Sequence, residues 1–367
     1  MTTVTFAKAD VGDSHALEDE VVRLREWGTD KVYLLPRHST MRCTIGASVG
    51  CSIHLVDPRR RISRIHAELI CERGQWLLRD LQSKNGLWLN GMRTLEVWLT
   101  PGDEITLGYV TLVAESPRSI ELHSYLSRLL GWDARMREAV DLALRSTRRA
   151  KAGSGAVVLC GEDDLMPIAR SLHRRIHGNE RPFIVCDPAR CLLDLNSSRP
   201  ETYDLGVPAL NAAIGGTLCL RHERLPFDFP DVAAVLWQPQ TPVQLMVCAR
   251  STRHAARYFS SPIAIPTLGE RLHELDRIID EYVREAFGQL NLEPSGLPRE
   301  AHAWVRQHAS SSIAAIEKAT LRLAALWGYG SVEAAASWIG MTPRSLAQWL
   351  DRRKVPTSAD SSCCGDN

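Results

Sequence analysis

The chain has 367 residues, 44% of them apolar, and a formal net charge of +1. That length allows two or three domains with packed cores. Near-neutrality excludes a chain that holds polyanions over its whole surface, so any nucleic-acid contact has to be a local basic patch. No stretch has the apolar length needed to span a bilayer, and Met1-Thr2-Thr3-Val4 lacks the basic and apolar regions of a secretory leader. The ten cysteines are scattered without metal-ligand spacing, with Cys363 and Cys364 in a polar tail. This usage points to a reducing cytoplasm and small core thiols, and it implies neither a metal nor a cofactor.

Residues 1–30 read as an N-terminal arm, within which 18–25 has the composition of a short helix. From Lys31 the pattern changes to short apolar runs: Val32-Tyr33-Leu34-Leu35, Cys43-Thr44-Ile45, Ala67-Glu68-Leu69-Ile70, Trp76-Leu77-Leu78 and Ile105-Thr106-Leu107. Turn signals separate them at Asp57-Pro58, Asn85-Gly86, Asn90-Gly91 and Pro101-Gly102. Short strands with regular turns predict an all-β sandwich over 31–117.

Three segments of that sandwich carry chemistry: Gly46-Ala47-Ser48, Ser63-Arg64-Ile65-His66, and Asp80-Leu81-Gln82-Ser83-Lys84-Asn85-Gly86. A phosphate needs several donors converging from loops, and Gly86 suits a turn conformation that other residues resist. In order and separation the three segments resemble the forkhead-associated (FHA) domain, whose pattern is Gly-Arg, Ser-x-x-His and Asp-x-x-Ser-x-Asn-Gly. The resemblance implies that Ser63 donates to the phosphate of a phosphothreonine peptide. Arg64 would contact phosphate or peptide, Asn85 would hold the peptide backbone, and Gly46 and His66 would shape and brace the loops. One position departs from the pattern: the family's phosphate-binding arginine is Ala47 here. A hydrogen bond to a charged group contributes about 1.5–3 kcal/mol, so its loss weakens binding by roughly ten- to a hundredfold. Arg59, Arg60, Arg61 and Lys84 stand close in sequence as replacements. The alternative is a solvated arginine loop on a domain that binds without phosphate.

After Pro117 helices alternate with strands. Residues 125–144 read as helical, then 156–160 as a buried strand, 166–177 as a helix, and 182–186, 216–220 and 243–248 as further strands. That alternation predicts a parallel α/β sheet over 125–287. Leu130-Gly131-Trp132-Asp133-Ala134-Arg135-Met136-Arg137-Glu138, Val157-Val158-Leu159-Cys160-Gly161-Glu162, Gly215-Gly216-Thr217-Leu218-Cys219-Leu220 and Pro266-Thr267-Leu268-Gly269-Glu270-Arg271 resemble the AAA+ ATPase of bacterial enhancer-binding activators, which act on the nitrogen-type sigma factor. A phosphate loop needs glycines and a lysine. Here Pro167 stands at the lysine position, without charge or backbone N–H, and Asp163 and Asp164 would repel a triphosphate. Arg221-His222 replaces the metal-binding Asp-Glu. Where the family's sigma-contacting loop would be, only Asn196-Ser197-Ser198-Arg199-Pro200 and its neighbours are found. The reading is a retained core without nucleotide chemistry, and not an enzyme.

Residues 290–298 read as a linker, 299–355 as a small all-α domain, and 356–367 as a disordered polar tail. Residues 313–327 predict an amphipathic helix whose 313–323 part is a candidate dimer contact. Ser331 is an N-cap for a helix over 332–339. Gly340-Met341-Thr342 makes a turn, and Pro343 suits the first position of a last helix. Helix, glycine-containing turn, helix is the helix-turn-helix plan, and this segment resembles the Fis-type DNA-binding unit that ends enhancer-binding activators. The resemblance places Thr342, Arg344, Ser345 and Gln348 at base edges and Arg352, Arg353 and Lys354 against phosphates. Over 311–354, Lys318, Arg322, Arg344, Arg352, Arg353 and Lys354 oppose Glu317, Glu333 and Asp351, an excess of +3.

The whole reads as a cytoplasmic, non-enzymatic transcription regulator. Its expected partners are a phosphothreonine protein (a Ser/Thr kinase or its substrate), DNA, and a second copy or an active enhancer-binding subunit. The alternative is a phosphopeptide-binding adaptor that binds proteins only, with the C-terminal helices for oligomerisation.

Overall fold

The computed structural model describes residues 20–36, 42–151, 155–189, 202–238, 241–258, 261–293 and 296–356. Most of the expected arm, the segment 196–200 and all but the first residue of the expected tail lie outside them. The chain divides into two units: one runs to Ser127 and includes Trp132–Ser154, and the other comprises Arg128–Gly131 and everything from Gly155.

The first unit is a two-sheet sandwich. One sheet contains β1 (Arg23–Glu26), β2 (Val32–Leu34), β7 (Leu87–Leu89), β8 (Met92–Thr94), β10 (Glu104–Leu107) and β11 (Val110–Glu115), in the order β2-β1-β11-β10-β7-β8. The other contains β3 (Arg42–Gly46), β4 (Ile53–His54), β5 (Ala67–Glu72), β6 (Gln75–Asp80) and β9 (Glu96–Trp98), in the order β4-β3-β5-β6-β9. Alternate residues from both sheets fill the core, with Leu24, Ile45, Leu69, Leu78, Leu87, Ile105 and Leu112 fully buried.

The sandwich begins earlier than Lys31. Residues 23–26, read from sequence as part of an arm or short helix, form an inner strand paired with β11 and β2. Leu24 points into the core, and its neighbour Arg25 is 2% exposed on the opposite face. Arg25 Nε donates to Glu115 at 2.7 Å, and its other nitrogens reach Asp141. Asp141 lies on a helix over Arg137–Lys151, which belongs to this unit and covers that face. Two further contacts hold it. Arg145 Nε donates to Glu104 at 2.8 Å, and the Arg145 guanidinium lies 4.2 Å from the Trp27 ring centroid. The single helix expected over 125–144 is two helices, α1 (Pro117–Leu130) and α2 (Arg137–Lys151). Gly131, at φ 121, separates them in a conformation that a helix cannot continue through.

The second unit carries a six-stranded, wholly parallel sheet. Its strands are β12 (Ala156–Cys160), β13 (Phe183–Cys186), β14 (Thr202–Tyr203), β15 (Thr217–Arg221), β16 (Gln244–Ala249) and β17 (Pro262–Ala264), in the order β14-β13-β15-β16-β12-β17. Strands β12, β13 and β16 are buried along their whole length, as expected when helices cover both faces. Helix α3 (Leu165–His177) follows β12, α4 (Gly206–Ala212) precedes β15, and α5 (Phe229–Leu236) follows it.

Helices α6 (Leu275–Gln289), α7 (Arg299–His308), α8 (Ile313–Tyr329), α9 (Val332–Trp338) and α10 (Pro343–Arg353) complete this unit. They fall in the same unit as the parallel sheet. Helix α8 packs along α6, Tyr329 Oη donates to Leu290 O at 2.7 Å, and Leu292 packs on Gly328. Ile313, Ile316 and Leu323 are buried within the chain itself. The dimer contact assigned to 313–323 is therefore corrected: that apolar face is already covered.

Candidate functional site

The three sequence segments meet at one end of the sandwich and lock two loops together. His66 is fully buried. Its Nδ1 accepts from Ser63 N at 3.1 Å, and its Nε2 lies 3.1 Å from Gly86 O. Because Nδ1 accepts, the neutral ring carries its proton on Nε2 and donates it to the carbonyl. Ser63 Oγ accepts from Lys84 N at 3.1 Å, and Asn85 Nδ2 donates to Arg61 O at 2.6 Å. Each contact joins the loop before β5 to the loop before β7. Gly86 N donates to Ser83 Oγ at 3.1 Å, and Ser83 is in turn held by Asp80.

Two glycines make this approach possible. Gly86 has φ 77, in the left-handed region that L side chains resist. At Gly46 a Cβ would lie 2.2 Å from Arg64 O, so only glycine lets β3 run this close to the Ser63–Arg64 backbone. The strand ends there in two bonds, Ala47 N to Ser63 O and Ser48 N to Arg64 O, both 3.0 Å. Ala47 packs against the core and contributes no polar side chain where the sequence pattern calls for an arginine.

The two loops of the cradle carry several cations. Asp57 braces the first loop, accepting from Arg59 N at 3.0 Å, Ile62 N at 2.7 Å and also Arg61 N. The Arg59 and Arg61 guanidinium groups lie 4.6 and 5.9 Å from the Tyr109 ring centroid. Arg60 and Arg64 are exposed, as is Lys84. Sequence reasoning missed Asp57, Tyr109 and Arg93. Arg93 lies against Gly86: a Cβ on that glycine would be 2.7 Å from Arg93 Nε. Such a cradle, with hydroxyl and backbone groups in loops that also carry exposed cations, suits an anionic group presented on a peptide.

In the second unit, a crevice of about 310 Å³ opens at the carboxyl ends of β12, β15 and β16, lined among others by Gly161, Asp163, Asp164, Arg221, Glu223 and Arg250. This is the usual ligand position in an open α/β sheet, but its central cation is engaged by carboxylates. Arg221 pairs with Asp164 at 2.9 Å and approaches Asp187 at 3.6 Å, while Glu223 accepts from Arg250 N at 2.8 Å. Asp164 also caps α3, and Pro167 sits in that helix's first turn. Burial pushes the Cys160 thiol up to about 11, which leaves it unreactive at neutral pH.

The C-terminal residues divide into two groups. Thr342 Oγ1 caps α10, accepting from Ser345 N at 3.2 Å and lying 2.7 Å from Ser345 Oγ. Arg353 stacks on Trp349 at 5.6 Å, and its carbonyl accepts from Trp304 Nε1 at 3.1 Å. Arg344, Gln348 and Arg352 are exposed and, at i, i+4 and i+8, share one face of the helix. Lys354 follows in a left-handed conformation.

Comparison with known proteins identifies one region. Residues 43–108 match the FHA domain family. No curated protein matches. Similar solved structures include an FHA domain studied for phosphothreonine-dependent interactions, which is 29% identical, with 25% of this chain and 93% of that chain covered and a TM-score of 0.23. Another is the N-terminal FHA domain of S. cerevisiae RAD53P in complex with a phosphothreonine peptide, 29% identical over 26% of this chain and 91% of that one, TM-score 0.23. A third is the FHA domain of the Chlamydia trachomatis CT664 protein, 24% identical over 26% and 95%, TM-score 0.23.

Proposed function

We propose that this protein is a non-enzymatic regulator that reads phosphothreonine peptides through its FHA domain and binds DNA through α10. The observation that carries the first part is the loop lock of Ser63, His66, Lys84, Asn85 and Gly86, in loops that carry exposed cations. The partner would be a Ser/Thr kinase or one of its substrates. Titration with a phosphothreonine peptide library and its unphosphorylated counterparts tests this, with tighter binding of the phosphorylated set expected. Equal affinities would end the claim.

DNA binding rests on the exposed Arg344, Gln348 and Arg352 face of α10, the second of two short capped helices joined by a turn. Arg344→Ala with Arg352→Ala should weaken DNA affinity and lower its salt dependence. No change in either would refute the docking. Absence of ATP turnover rests on Pro167 and on the Arg221–Asp164 pair, which stands where a phosphate and its metal would need the opposite arrangement. Saturable ATP binding at micromolar concentration would contradict it.

A second reading, an adaptor that binds proteins only, is favoured by one observation. Thr342, Ser345 and Arg353, three of the groups a DNA interface would use, are engaged within the chain. Retention of the full chain on DNA, with and without competitor salt, separates the readings.

A further inference from the structure

We propose that Arg93 supplies the phosphate-facing cation that Ala47 lacks, so that the clamp is built from Ser63, Lys84 and the edge hairpin rather than from the loop after β3. This rests on the phosphopeptide reading above and names the residue that gives that reading its phosphate dependence.

The placement follows from the hairpin. Asn90 and Gly91 have φ 50 and 84, the pair of positive values that a two-residue mirror-image turn requires. That turn fixes the register as Leu89↔Met92, Trp88↔Arg93 and Leu87↔Thr94. Directly paired residues share a face, and faces alternate along a strand. Arg93 therefore shares a face with Trp88, the second residue of β7, which begins directly after the turn at Gly86. The geometry agrees: a Cβ on Gly86 would lie 2.7 Å from Arg93 Nε, 3.2 Å from Cζ and 3.1 Å from Nη2. The guanidinium thus lies directly against the glycine, which gives Gly86 a second reason to lack a side chain.

Gly86 is the backbone hub of the cradle. Its carbonyl meets His66, its N–H meets Ser83, and two residues earlier Lys84 N meets Ser63 Oγ. Lys84, whose N–H meets Ser63 Oγ, is two residues from the glycine that Arg93 lies against, a chain span of at most about 7 Å, which puts Arg93 on the border of the same loop. Its charge is also uncommitted. Arg93 is exposed and, among the described residues, makes no ion pair or hydrogen bond. By contrast, Arg23, Arg25, Arg79 and Arg145 of the same unit all pair with carboxylates. Arg59 and Arg61 are engaged with the Tyr109 ring, 4.6 and 5.9 Å from its centroid.

The test measures binding of a labelled phosphothreonine peptide and its unphosphorylated form to the full chain by fluorescence anisotropy. Arg93→Gln keeps the stem over Gly86 but removes the charge, and should lower phosphopeptide affinity by about ten- to a hundredfold. Unphosphorylated peptide should bind as before. Arg93→Lys should retain most of the affinity, and Arg42→Ala, a cation at the opposite end of β3, should change nothing. Adding Ala47→Arg to the Arg93→Gln chain should restore binding. Undiminished phosphopeptide affinity in Arg93→Gln overturns the assignment, as does an equal loss for both peptides. A wild-type chain that does not discriminate the two peptides would sink the underlying phosphopeptide reading instead, and that outcome is seen before any variant is made.

Discussion

His66→Ala tests whether the loop lock is what holds the proposed peptide-binding face. The imidazole is fully buried and makes one bond to each loop, from Ser63 N and to Gly86 O. Removing it strands a half-buried N–H and a buried carbonyl. A stranded buried group costs about 1–3 kcal/mol, so the pair amounts to about 2–4 kcal/mol, with Ser63 at the lower end because water can reach it. Ser63 would then no longer be held beside Lys84, and binding would have to draw on the minority of molecules with both loops in place. Hydrogen exchange reads this directly, because Lys84 N and Gly86 N donate within the lock, to Ser63 Oγ and Ser83 Oγ. Those two amides should lose protection by at least about tenfold, while Leu69 and Leu78 in the sheet beneath lose far less. Phosphopeptide affinity should fall in parallel. Unchanged protection at Lys84 and Gly86 would refute the idea that the histidine braces the loops.

Three further outcomes follow from the packing. Gly46→Ala places a methyl 2.2 Å from Arg64 O; the backbone must move, at a cost of about 1–3 kcal/mol, and peptide affinity should fall with the melting temperature. Retention of both would show that the loop shifts freely. Arg25→Ala leaves Glu115 and Asp141, both 1% exposed, without their shared cation. Breaking a buried ion pair costs about 3–5 kcal/mol, so amides of α2 should exchange as fast as those of a frayed segment; normal protection there would detach the helix from the sandwich. His173, between Thr217 Oγ1 at 2.8 Å and Arg181 O at 3.0 Å, is held below the ordinary histidine value, chiefly by burial. The unfolded chain therefore takes up the proton first, and the second unit should lose stability as pH falls below about 6.5. His173→Gln should flatten that dependence, and an equally steep profile in the variant would assign it to another group.

What the sequence disclosed and what it hid divide along the range of the interactions. The cradle was legible because its parts are short local patterns. Ser63 and His66 are three residues apart, and Asp80, Ser83 and Gly86 form one loop closed by its own side chains. The starts of α9 and α10 were legible for the same reason, since Ser331 and Thr342 cap the residues that follow them. Strand β1 was not legible. Its burial of Arg25 depends on Glu115, 90 positions away, and on Asp141, 116 positions away. Without those partners, alternating Arg23, Leu24, Arg25 and Glu26 looks like a solvated segment. The covered face of α8 was hidden likewise, because an apolar helix face does not say whether its partner is α6 of the same chain or another molecule.

Arg93 falls between these cases, and it shows how a non-local contact becomes readable. Nothing near it in sequence marks it as a ligand, and it lies outside every motif that drew attention to the loops. Yet Asn90-Gly91 is among the strongest hairpin signals a sequence carries, and a two-residue hairpin admits one register. Counting back from that turn pairs Arg93 with Trp88 and brings it to the glycine of the Asn85-Gly86 turn. The loss at Ala47 and the cation on the edge hairpin can therefore be considered together. On the proposed assignment, an arginine at either position serves the same phosphate. A chain with only the second should still distinguish a phosphorylated peptide, but with its electrostatic contact drawn from the β7–β8 side of the cradle.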